Sequence, residues 1–248
     1  MPAKIDLLLE SNKELSCQMG SLFQGVIMRN LPKEEGYGDQ LHIPELHAYT
    51  QHLEKDKEEN WHWILTFLNK AAKEQIWDKG LKDTKSIELE QNGIAVQIKD
   101  KNFIEESYEK LNTIFRNEEP PRKFKLQFVT PTAFKSDGHY VLMPDLRHIY
   151  QSIMKKYDAC SKNVSLYDED TLDQLCKFSF ISDYNLRSTR FHLEGIKIPS
   201  FLGSIVIRSI GKQTMSSFLD MLFKISEYSG VGIKASIGMG ATKYYSIK

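Results

Sequence analysis

Cysteine is scarce in this sequence, which has only Cys17, Cys160 and Cys176 among 248 residues. Their number is odd and no two of them form a CxxC pair, so the chain lacks the pattern of a disulfide framework. Such cysteine usage is typical of proteins in a reducing cytosol. We therefore expect a cytoplasmic protein without disulfide bonds.

Long apolar runs are absent as well. No run reaches the length needed to span a membrane, and the opening residues Met1–Lys4 lead into a short amphipathic stretch instead of a signal peptide. We expect a soluble protein that makes no contact with a membrane.

The chain also lacks an excess of charge of one sign, since 33 basic residues balance 33 acidic ones. The chain as a whole therefore lacks the bulk signature of a nucleic-acid binder. The two halves differ, however, with 15 Lys and Arg against 22 Asp and Glu up to Pro120, and 18 against 11 from Pro121 on. This asymmetry predicts that a polyanion, if one binds, lies mainly on the second half.

The spacing of apolar residues predicts alternating strands and helices in both halves. In the first half the predicted strands are 4–10, 61–68, 86–90 and 94–98, and the predicted helices are 18–31, 70–77 and 103–115. In the second half the predicted strands are 123–129, 190–196, 203–210 and 244–247, and the predicted helices are 145–157, 172–178 and 213–228. A loop is expected over 39–53, and Pro199 is expected to separate two strands.

This order of elements is typical of a split βαβ unit present twice. The polar stretch Arg116–Arg122, with its Pro-Pro pair, is the best candidate for a linker. We therefore predict an α+β protein with two tandem ferredoxin-like (RRM-like) domains, residues 1–119 and 122–248. The second domain ends in a glycine-rich loop.

That loop contains Gly230-Val231-Gly232 and Gly238-Met239-Gly240, two Gly-apolar-Gly units with five residues between them. Such a loop can offer successive N–H groups to phosphate oxygens, and Lys234 adds a positive charge. A dinucleotide-binding motif is excluded, because that motif requires a strand before it and a helix after it. An ordinary glycine-rich turn remains the alternative.

Three of the seven histidines, His42, His47 and His52, lie within eleven residues. Histidine can accept or donate a proton near neutral pH, which makes this segment a candidate for acid–base chemistry. The alternative is a set of surface histidines with one partly buried. No HExxH motif or Cys/His quartet is present, so we expect no metal site and no cofactor.

The spacing of the two glycine units resembles the glycine-rich signature of the RAMP superfamily of CRISPR-associated proteins. Within it, the chain resembles the CRISPR-associated endoribonucleases numbered six, which cut the repeats in the precursor of CRISPR RNA. Three further features agree with this resemblance: Leu41-His42 followed by Tyr49-Thr50, the stretch 128–134, and the amphipathic helix before the glycine loop.

The resemblance implies a metal-independent endoribonuclease in which His42 is the general base. Members often add a tyrosine on the first helix and a lysine after the histidine, but this chain has Met28 and then His47-Ala48 there. His47 is therefore the candidate for the second catalytic role. Attack by the ribose 2′-OH would leave a 2′,3′-cyclic phosphate and a 5′-OH. The alternative function is that of a non-catalytic RNA-binding RAMP subunit in a CRISPR ribonucleoprotein complex.

The expected partner is CRISPR repeat RNA, with the active site in the cleft between the domains. A CRISPR effector complex and a homodimer are further partners that the sequence leaves open. The predicted RNA-binding residues are Gly230, Gly232, Lys234, Gly238, Gly240, Lys243, Arg187 and Arg190.

Overall fold

The first half of the chain folds around a five-stranded sheet in the computed structural model. The structure describes residues 2–32, 48–89, 93–105, 113–161 and 164–247. The strands are β1 (Ala3–Ser11), β2 (Tyr49–Lys55), β3 (Trp61–Phe67), β4 (Ser86–Leu89) and β5 (Ile94–Glu105). They are antiparallel neighbours in the order β2-β3-β1-β5-β4.

One face of this sheet is covered by helices. A 3₁₀ turn (Cys17–Met19) leads into α1 (Gly20–Asn30), and α2 (Lys70–Lys73) continues as a π-helical segment (Glu74–Leu81). The alternation in β1 buries every second residue from Ala3 to Leu9, and these residues share a core with Phe23 of α1. Burial of such side chains contributes about 1.5–3 kcal/mol each, which is why the pattern specifies the strand.

The second half repeats the arrangement. Its strands are β6 (Lys123–Thr132), β7 (Phe134–Ser136), β8 (His139–Val141), β9 (Ser179–Leu193), β10 (Ile196–Ser209) and β11 (Thr242–Ile247). Its helices are α3 (Leu146–Cys160), α4 (Glu169–Lys177) and α5 (Gln213–Ser229). The main sheet has the order β11-β6-β10-β9, and β7 and β8 form a separate hairpin.

Both halves therefore place their first strand in the centre, with the strand after the first helix at an edge. In the first half β1 lies between β3 and β5, and in the second β6 lies between β10 and β11. This is the spatial order of a ferredoxin-like unit. The predicted α+β fold with two ferredoxin-like domains is confirmed.

Four local predictions were wrong. The loop expected up to residue 53 contains β2, and the helix expected from Phe103 begins inside β5, which pairs with β1 as far as Glu105. The strand expected over 190–196 is interrupted by a turn at Glu194-Gly195, and Pro199 does not interrupt a strand but lies within β10. β10 pairs with β6 only from Phe201 onward, so at Pro199 its one neighbour in the sheet is β9 and a missing N–H is tolerated.

Candidate functional site

The glycine-rich segment, residues 230–241, follows α5 and is packed between the two halves. Of its residues only Lys234 is exposed and Ile233 half-buried, and all the others are buried. Its 3₁₀ turn Ala235–Ile237 lies against the first half, where the Ser236 carbonyl accepts a hydrogen bond from Gln51 of β2. The segment therefore forms part of the contact between the halves, and its one exposed side chain is that of Lys234.

Its glycines are required by close approach of backbone to backbone. Gly240 has a φ of +70°, and a Cβ there would lie 2.0 Å from the Val231 carbonyl oxygen. At Gly232, with a φ of +80°, a Cβ would lie 2.2 Å from the carbonyl oxygen of Ala133. Only glycine fits both the left-handed backbone and the contact.

The N–H groups of this segment are largely used within the fold. Val231 donates to the Gly240 carbonyl at 2.8 Å, and Gly240 donates to the Pro131 carbonyl at 3.0 Å. The N–H of Gly232 donates to Ser152 Oγ at 2.9 Å. These three groups are therefore not available to a phosphate in this structure, although the sequence pattern alone would allow it.

Below the segment lies a buried lysine, Lys156 of α3. Its ammonium donates to the carbonyls of Ser229 and Gly230 at 3.2 and 3.3 Å. Burial lowers the pKa of Lys156 to about 7. The lysine therefore binds carbonyl groups at the C-terminal end of α5, where a helix leaves its last carbonyls without an intrahelical backbone partner.

The predicted catalytic histidines, His42 and His47, lie outside the residues that the structure describes. The chain leaves the described part after α1 and re-enters it at Ala48, whose carbonyl accepts a hydrogen bond from the Leu68 N–H at 2.9 Å. The third histidine of the cluster, His52, is buried in β2, with Nε2 3.6 Å from Glu54 Oε2.

Arg187 and Arg190 are both exposed on β9, the edge strand of the second sheet. This strand contacts the 3₁₀ turn that precedes α1 through Gln18, whose Nε2 donates to the Arg190 carbonyl at 3.1 Å. The oxygen of the same amide accepts from the His192 N–H at 2.8 Å. The pKa of the nearby Cys17 thiol is raised by burial, an effect that the charge of Arg187 partly opposes. The strand that carries Arg187 and Arg190 therefore lies against the turn that precedes α1.

Lys243 is engaged in an ion pair across the two halves. Its Nζ lies 3.0 and 2.9 Å from the two carboxylate oxygens of Glu54 in β2. Burial alone would raise the pKa of Glu54, but hydrogen bonds and charge from His52 and Lys243 lower it to about 2. This predicted RNA-binding lysine also has a structural partner.

Sequence reasoning indicated Lys243 but missed three further cations, Lys123, Lys125 and Arg208, on the open face of the second sheet. Lys123 of β6 is paired with Arg208 of β10, and Lys125 is paired with Tyr245 of β11. Residues opposite each other in antiparallel strands point to the same side. We call Lys123, Lys125, Arg208 and Lys243 the basic face. In the sequence, this face is indicated by Lys123 and Lys125, which occupy alternate positions of a predicted strand.

In the first sheet, the face that lies away from α1 has the opposite character at its exposed end, whereas His52, Ile64 and Thr66 on the same face are buried. The ring of His62 lies between two carboxylates, with Nδ1 2.6 Å from Asp6 Oδ1 and Nε2 3.3 Å from Asp56 Oδ2. Burial opposes the charged form, but the two carboxylates outweigh it and raise the pKa of His62. We call Asp6, Glu54 and Asp56, with the bridging His62, the acidic face.

The acidic face lines an open cavity of about 350 Å³. Three lysines complete the lining, Lys55 and Lys57 from the first half and Lys243 from the second. Over the described ranges, no group of three or more His, Cys, Asp or Glu side chains is arranged to hold a metal ion. No helix in that part of the chain is both long and apolar enough to cross a bilayer.

Comparison with known proteins shows similarity to one family over the whole chain. Residues 126–242 match the family model of the CRISPR-associated endoribonuclease Cas6. The chain is 35% identical over 222 residues to the CRISPR-associated endoribonuclease Cas6 of Streptococcus thermophilus, which covers 89% of both proteins. It is 29% identical over 247 residues to the same enzyme of Mycobacterium tuberculosis, covering 97% of this chain and 77% of the relative.

Solved structures show the same fold at lower identity. A Cas6 product complex has a TM-score of 0.78 at 18% identity, covering 99% of both chains. A Cas6 structure from Thermus thermophilus has a TM-score of 0.68 at 20% identity, covering 99% of this chain and 98% of the other.

Proposed function

This chain belongs to the CRISPR-associated endoribonuclease Cas6 family, and we propose that it cuts CRISPR repeat RNA in the precursor transcript. The observation that carries this proposal is the 35% identity to the Streptococcus thermophilus endoribonuclease over 89% of both proteins. The likeness in fold to a Cas6 product complex supports it.

The proposed reaction needs no cofactor, because RNA supplies its own nucleophile. His42 removes the proton of the ribose 2′-OH, and the oxygen attacks the adjacent phosphorus. The bond to the 5′ oxygen breaks, and His47 as an imidazolium protonates that oxygen. The products are a 2′,3′-cyclic phosphate and a 5′-OH, and each proton transfer contributes roughly 10²- to 10⁴-fold to the rate.

The proposal divides binding and chemistry between the domains 1–119 and 122–248. The second carries the exposed cations Arg187, Arg190 and Lys234, together with the basic face. Phosphate contacts from such residues supply affinity that falls steeply with salt. The four glycines of the segment contribute by shaping the backbone that presents Lys234.

A cleavage assay in EDTA tests the reaction. The purified protein is incubated with labelled repeat RNA and with the same RNA carrying a 2′-deoxy sugar at the cleavage position. We expect cutting of the first substrate only, and product ends that require removal of a cyclic phosphate before ligation. Cleavage that depends on added magnesium, or cutting of the 2′-deoxy substrate, would contradict the mechanism.

The same experiment distinguishes the proposed endoribonuclease from the second candidate function. A non-catalytic RAMP subunit would bind both RNAs equally and cut neither. In that case substitution of His42 and His47 would leave every measured property unchanged.

A further inference from the structure

Gln51 of β2 is a buried polar side chain at the contact between the halves. It is 1% exposed, and it follows His47 by four positions in the chain. A glutamine amide has one acceptor oxygen and two N–H donors. All of these functions are used here, and their partners come from three different elements.

The three hydrogen bonds tie the first half to the glycine-rich segment. Gln51 Oε1 accepts from Trp63 Nε1 of β3 at 2.9 Å. Nε2 donates to the Gly20 carbonyl at the start of α1 at 2.7 Å, and to the Ser236 carbonyl at 3.1 Å. One amide therefore fixes a strand, a helix start and a segment of the other half.

Close backbone contact makes the geometry at this point demanding. A Cβ on Gly20 would lie 2.0 Å from the Ile237 carbonyl oxygen. A Cβ on Gly238 would lie 3.3 Å from Gly20 Cα and 3.8 Å from the Gln51 carbonyl oxygen. The start of α1 and the glycine-rich segment therefore touch without intervening side chains, and Gln51 is the polar link beside that contact.

We propose that Gln51 is a positioning residue that aligns the glycine-rich segment with the strand entered from the histidine segment. RNA held by Lys234 and the second half would thereby be presented correctly to His42 and His47. The inference rests on the proposed endoribonuclease function. Misplacement of reacting groups by about 1 Å is enough to slow a reaction about 100-fold.

The variant Gln51→Met tests this role, because it keeps the length and burial of the side chain and removes the three hydrogen bonds. A matched control is Tyr150→Phe, which removes the buried hydrogen bond from Tyr150 to Ser179 Oγ (2.8 Å) in the second core. Both variants are compared with the wild type at a temperature where all three are folded by circular dichroism.

Two readouts are measured. The first is the single-turnover rate at saturating repeat RNA, which we expect to fall about 10- to 100-fold in Gln51→Met with little change in RNA affinity. The second is amide hydrogen exchange, which we expect to accelerate over residues 230–241 in Gln51→Met and not in Tyr150→Phe. A role in core stability alone would change the melting temperature of both variants and neither readout.

The outcomes separate this inference from the proposed function. Wild-type cleavage in the folded Gln51→Met variant overturns the positioning role while the endoribonuclease function stands. If the wild type itself does not cut, the proposed function fails, and exchange still decides whether Gln51 holds the segment. Unchanged exchange over residues 230–241 overturns the inference.

Discussion

The two sheets share the ferredoxin-like order of four strands, to which the first sheet adds β4 at an edge, but they carry opposite charges on the exposed parts of the faces described above. In the first sheet that face holds Asp6 and Glu54, together with the His62 bridge to Asp56. In the second the corresponding surface holds Lys123, Lys125 and Arg208. Since the backbone arrangement is shared, the difference lies only in the outward positions of the strands. The fold is a common scaffold, and the side chains on it determine the charge of each face.

The two halves are connected by polar contacts. Lys243 is paired with Glu54, and Thr66 Oγ1 donates to the Tyr228 carbonyl at 2.7 Å. The large apolar cores lie within the halves and are almost separate. Among the described residues, Leu68 is the only one from before the linker that belongs to the buried part of the second core. We therefore expect substitutions of residues on one face to leave the contribution of the other face to stability or RNA binding unchanged.

The largest effect is expected for His42→Ala. Loss of the proposed general base should slow cleavage about 10²- to 10⁴-fold and leave the affinity for repeat RNA within a factor of about two, because the proposed binding residues lie on the second half. Single-turnover rates and filter binding measure the two quantities. The exposed His139 on β8 supplies the control His139→Ala, which should cut normally. Equal cleavage by His42→Ala and the control would remove the catalytic assignment.

The next largest effect is expected from removing three cations of the basic face. The triple variant of Lys123, Lys125 and Arg208 to alanine should bind repeat RNA at least about 10-fold more weakly. Its plot of log affinity against log salt should be less steep by about 2, at roughly 0.7 per phosphate contact.

The matched control removes three exposed lysines of the first half, Lys79, Lys82 and Lys85. This control loses the same total charge and should keep both the affinity and the salt slope. If the two triple variants weaken binding equally, net charge and not the basic face governs RNA affinity.

A smaller effect is expected at the ion pair that joins the faces. The pKa of Glu54 is lowered in the folded state to about 2, against about 4.3 in an unfolded chain. Its contribution to the unfolding free energy is therefore complete above about pH 4.3 and lost as the pH falls through 2. Glu54→Gln should cost on the order of 2 kcal/mol at pH 7 and almost nothing near pH 2.

Urea unfolding at the two pH values measures this difference. Glu88→Gln, at an exposed position of β4, is the control and should show no such pH dependence. A Glu54→Gln variant that is as stable as the wild type at pH 7 would contradict a stabilising link between the faces.

The smallest effect is expected within the acidic face. Because the pKa of His62 is raised in the folded state, its ion pairs stabilise the protein below about pH 6.5 and are lost as the pH rises through the folded value. His62→Gln should cost less than about 1 kcal/mol at pH 5.5, since solvent screens the pair, and nothing at pH 9. Thermal unfolding across this range measures the loss, and RNA binding should not change.

Elements with one clearly apolar side were predicted well from the sequence. β1, α1 and α5 bury residues at strand or helix spacing, and that spacing is visible in the chain itself. β2 was missed because its residues Thr50, Gln51 and His52 are polar. All three are buried, and Gln51 donates to the Ser236 carbonyl of the second half, a contact between distant residues that local spacing cannot reveal.

The candidate site shows the same limit. The sequence indicated Lys234, Arg187 and Arg190, which the structure places on the surface. It did not indicate that Lys123 and Arg208 stand side by side, because their pairing joins strands far apart in the chain. The roles of His42 and His47 remain predictions from resemblance.

The sequence by itself determined the α+β class, the two repeated units and the need for glycine at Gly232 and Gly240. Only the tertiary structure decided what those glycines contact. Their backbone lies against Ala133 and Val231, whose carbonyl oxygens leave no room for a Cβ. The physical reason is that a glycine pattern indicates a left-handed backbone or a close contact with another group. Which group makes that contact depends on how distant parts of the chain pack.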